Sequence, residues 1–301
     1  MKKLLILFLI FALVFALGQK GCVRKEKEKV GVGTSALMMS FVEGAPPTQL
    51  VAGKTYPIYL DISNHGGADI EAGSIRFYLY GFSPEVLQNI NFHVVNENKL
   101  VKKTEMREGG KERIIFATAA KPAELKAPYT FTMKVDACYN YKGSFDTKIC
   151  IKGAEAGVCS LEGDKAKNAI QSIGPIQVES LTEQVQGNVL YVKALISNKG
   201  IGEVYSPTAN CDLIQKNDLN EKLKARMIEL SIITEPGFKC ILQSIQNPNE
   251  VIEDVNGIAY LGTINCYKIL EEGEQTREAP FRIEMNYIYR QSVTKDFQIL
   301  P

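Results

Sequence analysis

Apolar and polar residues alternate along much of this chain. Between Tyr56 and Ile62 every second side chain is apolar, and the same alternation recurs between Ile75 and Leu79. A period of two over a short segment is typical of a β-strand that buries one face. Similar segments, separated by turns rich in Gly and Asn, continue to the C-terminus. The pattern therefore predicts an all-β protein built from antiparallel β-sandwiches.

One such strand occurs twice with the same turn chemistry. Residues 53–66 run from a Gly-led turn through a strand into Ser-Asn-His-Gly, and residues 187–200 run from a Gly-led turn through a strand into Ser-Asn-Lys-Gly. Farther along, residues 139–145 resemble residues 287–293, because both contain two tyrosines at alternate positions, then a cation and a serine. A strand and a later segment thus recur in the same order, which indicates two copies of one module.

The repeat predicts two tandem domains. The predicted division is a signal segment at 1–21, a flexible charged tether at 22–35, a first domain at 36–153, a connector at 154–173 and a second domain at 174–301. The first domain is expected to end in a hairpin that turns at Gly143-Ser144, because Gly and Ser commonly occupy turns. Short helices are expected within 165–171 and 218–226, inside otherwise irregular segments.

The N-terminus has the pattern of a secretory signal. A basic Met-Lys-Lys head precedes an apolar run at 4–17, which is too short to span a bilayer comfortably. Cleavage after Gly18 would give simple secretion, and an uncleaved N-terminal anchor helix is another possibility. Alternatively, Gly21-Cys22 is a lipoprotein cleavage site at which Cys22 carries the lipid anchor. Every alternative predicts an extracytoplasmic body, and we expect a membrane-anchored protein at the cell surface.

The cysteines predict disulfides. Seven are present, and six remain when Cys22 is assigned to the anchor. Outside the cytoplasm an even set favours disulfide bonds. The candidates are Cys138, Cys150, Cys159, Cys211, Cys240 and Cys266. Three belong to the first domain and its exit and three to the second, so either one bridge joins the two groups or two thiols stay free. Cys138–Cys150 across the closing hairpin and Cys150–Cys159 are alternative local pairs.

The sequence offers no catalytic, cofactor-binding or metal-binding constellation, so we predict none. His65 and His93 are the two histidines, and no Gly-x-Ser-x-Gly turn or His-Glu-x-x-His helix accompanies them. Asp254-x-Asn256-Gly257 is interpreted as a turn, and the acidic residues at 271–274 as a solvated loop.

Four tyrosines alternate along two predicted strands, so one of their faces is expected in the core. An exposed strip for carbohydrate or protein contact is the alternative. They are Tyr139, Tyr141, Tyr287 and Tyr289.

The strands that end in Asn-x-Gly, at 58–67 and 192–202, resemble the immunoglobulin-like modules of cell-adhesion-related (CARDB-type) domains. With the signal segment, Cys22 and the cysteines, the chain is similar to archaeal-type surface proteins. The resemblance covers most of 36–301 in architecture and implies tandem immunoglobulin-like domains with a role in contact or display. The segment between Gly202 and Phe281 is longer than such a module requires.

These features predict a non-enzymatic cell-surface protein that displays its modules for adhesion or ligand binding. The alternative is a structural component of a cell-envelope or pilus-like assembly. The expected partners are the membrane, through the N-terminal anchor, and a protein or glycan surface ligand. The formal net charge of +1, with no evident basic face, argues against nucleic acid.

Overall fold

The computed structural model describes residues 34–152, 159–247 and 249–301. The predicted signal segment, Cys22 and nearly all of the tether lie outside the described residues. The described chain is all-β with largely antiparallel sheets, which confirms that part of the expected fold class, whereas the immunoglobulin-like sandwiches stay a prediction. Within these residues no helix has the length and apolar character needed to cross a bilayer.

The described residues up to 152 form eight strands. They are β1 (Leu37–Phe41), β2 (Gln49–Val51), β3 (Tyr56–Asn64), β4 (Ile75–Tyr80), β5 (Leu87–Gln88), β6 (His93–Val95), β7 (Lys111–Pro122) and β8 (Tyr129–Ile151). The burial of β3 and β4 alternates as the sequence predicts, with Ile58, Leu60 and Ile62 buried on one face.

The described residues after 158 form a 3₁₀ helix, two short α-helices and ten strands. They are the 3₁₀ helix (Lys165–Asn168), β9 (Ile170–Gln171), β10 (Ile176–Gln186), β11 (Val189–Asn198), β12 (Glu203–Tyr205), α1 (Cys211–Gln215), α2 (Leu219–Leu223), β13 (Met227–Ile233), β14 (Phe238–Gln243), β15 (Val251–Asp254), β16 (Asn256–Tyr260), β17 (Gly262–Ile269) and β18 (Arg277–Leu300). The predicted 281–289 and 296–300 strands are parts of the single strand β18.

We call the described residues up to 152 the first half and those after 158 the second half. Two long strands, one from each half, connect them. β8 and β18 pair antiparallel from Arg277 opposite Ile151 to Ile299 opposite Tyr129. The N-terminal part of β8 also pairs with β4, whereas the N-terminal part of β18 pairs with β13. Within one large sheet, each strand therefore starts beside a strand of its own half and continues beside strands of the other half.

The predicted hairpin at Gly143-Ser144 is wrong, because β8 continues straight through these residues. Gly143 lies opposite Met285, and a Cβ at Gly143 would lie 3.1 Å from the Met285 Cε atom. A glycine inside a strand often marks such a close approach. The residue is small here for packing, and the strand expected to close the hairpin is supplied by β18.

The described strands form two sheets. The smaller has the order β1-β3-β7-β5, and the larger has the order β10-β11-β17-β14-β16-β13-β18-β8-β4-β6. In the larger sheet β2 and β12 also pair with β18, β9 with β8, and β15 with β14. Buried residues from both sheets and both halves belong to one hydrophobic cluster. The predicted connector contains the 3₁₀ helix and β9, and its residues 154–158 lie outside the described residues. The division into two tandem domains stays a prediction.

The repeated Asn-x-Gly turns have the same hydrogen bonds. The Asn64 Oδ1 atom accepts from the Gly66 amide at 2.9 Å, and its Nδ2 atom donates to the Ala68 carbonyl at 2.8 Å. In the second half the Asn198 Oδ1 atom accepts from the Gly200 amide at 3.0 Å, and its Nδ2 atom donates to the Gly202 carbonyl at 2.7 Å. The sequence repeat therefore corresponds to a structural repeat.

Four buried tyrosines occupy the middle of the long strand pair. Tyr139 lies opposite Tyr289 and Tyr141 opposite Tyr287, with ring centroids about 6 Å apart. The Tyr141 hydroxyl accepts from the Ala68 amide at 3.2 Å, and the Tyr289 hydroxyl accepts from the Gly202 amide at 2.7 Å. The exposed tyrosine strip considered from the sequence is therefore wrong, because these side chains fill the core and two of them tie the repeated turns to it.

Candidate functional site

The outer face of the long strand pair, opposite the tyrosine core, carries the polar side chains of the candidate site. Residues that lie directly opposite each other on neighbouring strands point to the same face. The repeat relates Lys142 to Arg290 and Ser144 to Ser292, so the outer faces of the two halves can be compared position by position. One of these faces is covered and the other is open.

The covered face lies in the first half, on β4, β8 and the C-terminal part of β18. Across these strands Tyr78 lies opposite Asp136, and Asp136 lies opposite Ser292. Asp136 is fully buried, yet it accepts from the Ser292 hydroxyl at 2.6 Å and from Arg290 Nε at 3.0 Å. The Tyr80 hydroxyl donates to it at 2.9 Å. A buried carboxylate needs such compensation, and here the protein supplies all of it.

A helical cap, defined as residues 206–225 and containing α1 and α2, covers this face. The disulfide Cys138–Cys211 joins β8 to the start of α1. Asp212 pairs with Arg76 and accepts from the Tyr78 hydroxyl at 2.6 Å. That hydrogen bond, together with the Arg76 guanidinium and against the effect of burial, lowers the pKa of Asp212.

The cap also has a small apolar core of its own against the strands. Its members are Cys138, Tyr205, Ala209, Cys211, Ile214 and Ile288, flanked by Tyr78 and Ala225. The cap is therefore fixed to the first-half face by covalent, ionic and apolar contacts. It belongs to the segment that exceeds a minimal module, and the expected 218–226 helix corresponds to α2.

The open face lies in the second half and forms a groove, which we call the outer groove. Asn256 lies opposite Ser231, Ser231 opposite Glu284, and Glu284 opposite Ser144, so four strands contribute one polar row. The Ser231 hydroxyl donates to Asn256 Oδ1 at 2.7 Å, which confirms that these side chains share the face.

A second polar row lies one step along the same strands. Glu229 lies opposite Asn286, and Asn286 opposite Lys142. Asn286 Nδ2 donates to Glu229 Oε2 at 2.7 Å, and the Asn286 Oδ1 atom is buried without a hydrogen-bond partner among the described residues. The cavity over both rows has a volume of about 580 Å³, and its lining also includes Ile245 and Gly67.

The two faces differ in charge as well as in cover. The covered face presents Arg290, which pairs with Asp136, and Arg76, which pairs with the cap's acid Asp212. At the corresponding positions the outer groove has Glu229, Lys142 and Glu284. The groove is thus mildly acidic, and its carboxylates, amides and hydroxyls offer both donors and acceptors.

His65 lies away from both faces, whereas His93 lies on β6 at the edge of the covered face, opposite Tyr78. His65 is in the turn after β3, where burial and the nearby Lys103 and Lys111 lower its pKa. His93 is exposed on β6 and stacks on the Tyr78 ring at a centroid distance of 4.9 Å. Within the described residues neither imidazole is hydrogen-bonded to a serine or a carboxylate. Those residues also contain no group of three potential metal ligands.

The acidic motifs have local structural roles. Asp254 Oδ1 accepts from the Val255 amide at 2.6 Å, which is turn geometry. Glu274 pairs with Arg277 at 3.1 Å and with Lys268 at 3.7 Å, so this member of the acidic loop is an ion-pair partner and is not freely solvated.

All six disulfide candidates are paired in the structure, as Cys138–Cys211, Cys150–Cys159 and Cys240–Cys266. The alternative Cys138–Cys150 pair is wrong because both residues lie on the continuous strand β8, about 40 Å apart at the usual rise of a strand. The bridge that joins the two cysteine groups is Cys138–Cys211. Cys22 lies outside the described residues, so its role as a lipid anchor stays a prediction.

Sequence reasoning missed the outer groove, although the repeat contained a usable signal. Aligning the two copies places Glu284 at the position of Asp136 and Asn286 at the position of Cys138. Each is an outward residue of an alternating strand, and such residues are normally only solvated. Their grouping depends on which strands are neighbours, and the alternating pattern does not contain that information.

Comparison with known proteins gives only weak similarities. No family model matches the chain, and a search of curated proteins gives no match. Among solved structures, the secreted serine protease VesC from Vibrio cholerae aligns at 10% identity with a TM-score of 0.18, over 85% of this chain and 50% of that one. A partial N-terminal region of an enterococcal surface protein aligns at 8% identity with a TM-score of 0.17, over 86% of this chain and 85% of the other. The chain thus spans half the length of the protease it aligns with, and similarities of this size assign neither a fold nor a function.

Proposed function

We propose that this chain is a non-enzymatic, extracytoplasmic surface protein whose β-modules serve adhesion or ligand binding. The observation that carries the proposal is the contrast between two equivalent faces. In the first half the cap occupies the face, whereas in the second half the corresponding face is an open groove of about 580 Å³. That volume falls within the usual range for ligand pockets, roughly 300–1,000 Å³.

Three disulfides support an extracytoplasmic location. Disulfides persist in secreted and surface proteins and are rare in the cytoplasm.

The proposal includes Cys22 as the lipid-bearing mature N-terminus and 22–35 as a tether to the membrane. It also treats each half as an immunoglobulin-like module whose sheet is completed by a strand segment of the other. Intact-mass analysis of protein from the membrane fraction tests the lipid, and a chain that starts at Gln19 would contradict it.

Binding by the purified extracytoplasmic chain tests the function. We expect a soluble monomer that binds cell surfaces or an isolated surface component in a saturable manner. Assembly into filaments or arrays without such binding would support the structural alternative. Reproducible turnover of a hydrolase substrate panel that is lost in His65→Ala or in His93→Ala would overturn the non-enzymatic assignment.

A further inference from the structure

We infer that the outer groove binds a neutral oligosaccharide, an inference that rests on the proposed binding function and names its ligand class. The site consists of the two polar rows, with Glu284 and Asn256 in one and Glu229, Asn286 and Lys142 in the other. No part of it is covered by the cap, which occupies only the equivalent face.

The dimensions suit a short oligomer. The row from Asn256 to Ser144 crosses four neighbouring strands. Three inter-strand spacings give a length of about 14 Å. A single sugar would contact only part of this row, whereas a short chain of sugars would contact its whole length.

The chemistry of the lining favours hydroxyl groups. A sugar hydroxyl both donates and accepts, so it can donate to the Glu284 carboxylate and accept from an amide such as Asn256 in the same row. Glu284 has a side chain about half exposed, at 51%, and its contact with Arg282 is long, at 3.9 Å, so its oxygens are accessible to a ligand.

The same lining disfavours other ligand classes. Two carboxylates and one ammonium group repel anionic sugars and phosphates more than they attract them. Protein interfaces concentrate their binding energy in buried aromatic and arginine anchors. Among the groove residues the exposed large apolar side chain is Ile245, and the neighbouring Leu230 and Met285 are fully buried. A protein partner would therefore find little apolar surface to anchor on.

Saturation-transfer NMR and calorimetry on the full-length protein test this inference. The probes are chitotriose, maltotriose and mannotriose as neutral sugars, with sialyllactose as the acidic comparison. We expect at least one neutral trisaccharide to bind and sialyllactose not to bind. Glu284→Ala and Asn256→Ala should each weaken the binding at least tenfold.

Matched controls keep the result interpretable. Glu43 and Asn265 are exposed residues outside the groove, and Glu43→Ala and Asn265→Ala should bind like the wild type. Neutral-sugar binding unchanged in both groove variants would overturn the groove assignment while leaving a surface-binding function intact. Failure of every neutral probe, or preference for sialyllactose, would overturn the ligand class. Saturable cell-surface binding alongside that failure would show that the proposed function survives it.

Discussion

The two halves of this protein use one strand pattern in two ways. On the first-half face, Arg290 and Ser292 bond to the buried Asp136, and the cap covers the neighbouring side chains. On the second-half face, the corresponding Lys142 and Ser144 lie beside Glu284 in an open groove. Equivalent positions can therefore stabilise the fold in one half and remain accessible in the other, and a covering segment makes the difference.

Both halves are stabilised by the same pair of long strands, β8 and β18. Removing β18 should therefore reduce the free energy of unfolding more than any other change proposed below. We expect a chain that ends at residue 276, and so lacks β18, to lose cooperative unfolding in both halves. β18 pairs with β8 along its length and lies beside β2 of the first half, so its loss exposes the core of each. The expected loss is the whole stability of a domain, about 5–15 kcal/mol. Chemical denaturation followed by circular dichroism measures it, and a first half that still unfolds cooperatively would show that the halves are independent.

The pairing of β8 with β18 also shows which features of the fold could be predicted from the sequence and which could not. Alternation located β3, β4, β11 and β14 because each buries one face, and that property is local. The pairing of β8 with β18 is non-local, and nothing in either segment states its partner. The hairpin prediction failed for that reason, and with it the Cys138–Cys150 alternative. The groove residues were similarly recognisable only after the neighbours of β18 were known.

The disulfide of the cap, Cys138–Cys211, should contribute more to the free energy of unfolding than the local disulfide Cys150–Cys159. Cys138–Cys211 has a sequence separation of 73 residues and Cys150–Cys159 of 9. The chain-entropy model assigns roughly 4 kcal/mol to the longer closure and roughly 2.5 kcal/mol to the shorter. We expect Cys138→Ala/Cys211→Ala to reduce the free energy of unfolding by more than Cys150→Ala/Cys159→Ala, as measured in urea. The reverse order would mean that the cap is held mainly by its apolar and ionic contacts.

The buried tyrosines predict a loss of stability at high pH. Burial raises the pKa of Tyr141 from 10.0 to about 12, against its hydrogen bonds with the turn backbone. Because the folded pKa lies above the unfolded one, this contribution is intact below pH 10 and is lost as the pH rises through about 12. A shift of this size corresponds to about 3 kcal/mol. Urea titrations across that pH window should show a steeper decline for the wild type than for Tyr141→Phe.

A control for this pH effect uses an exposed tyrosine. Tyr260 has half of its side chain exposed, so Tyr260→Phe should follow the wild-type decline. Equal slopes in wild type and Tyr141→Phe would show that other groups, such as the lysines, cause the alkaline loss.

The smallest expected effects separate the four tyrosine hydroxyls into two pairs. Tyr141 and Tyr289 accept from the amides of Ala68 and Gly202, whereas the buried hydroxyls of Tyr139 and Tyr287 make no hydrogen bond among the described residues. These two hydrogen bonds are partly buried, so removing the acceptor costs at most about 1–3 kcal/mol, whereas removing an unpaired buried hydroxyl costs little or stabilises the protein. We expect Tyr141→Phe and Tyr289→Phe to lower the free energy of unfolding by that amount. Tyr139→Phe and Tyr287→Phe should change it by less than about 0.5 kcal/mol or raise it. The amide exchange rates of Ala68 and Gly202 should rise only in the first pair. Equal destabilisation by all four substitutions would contradict the assignment and would mean that ring packing, rather than the repeated turns, makes each hydroxyl necessary.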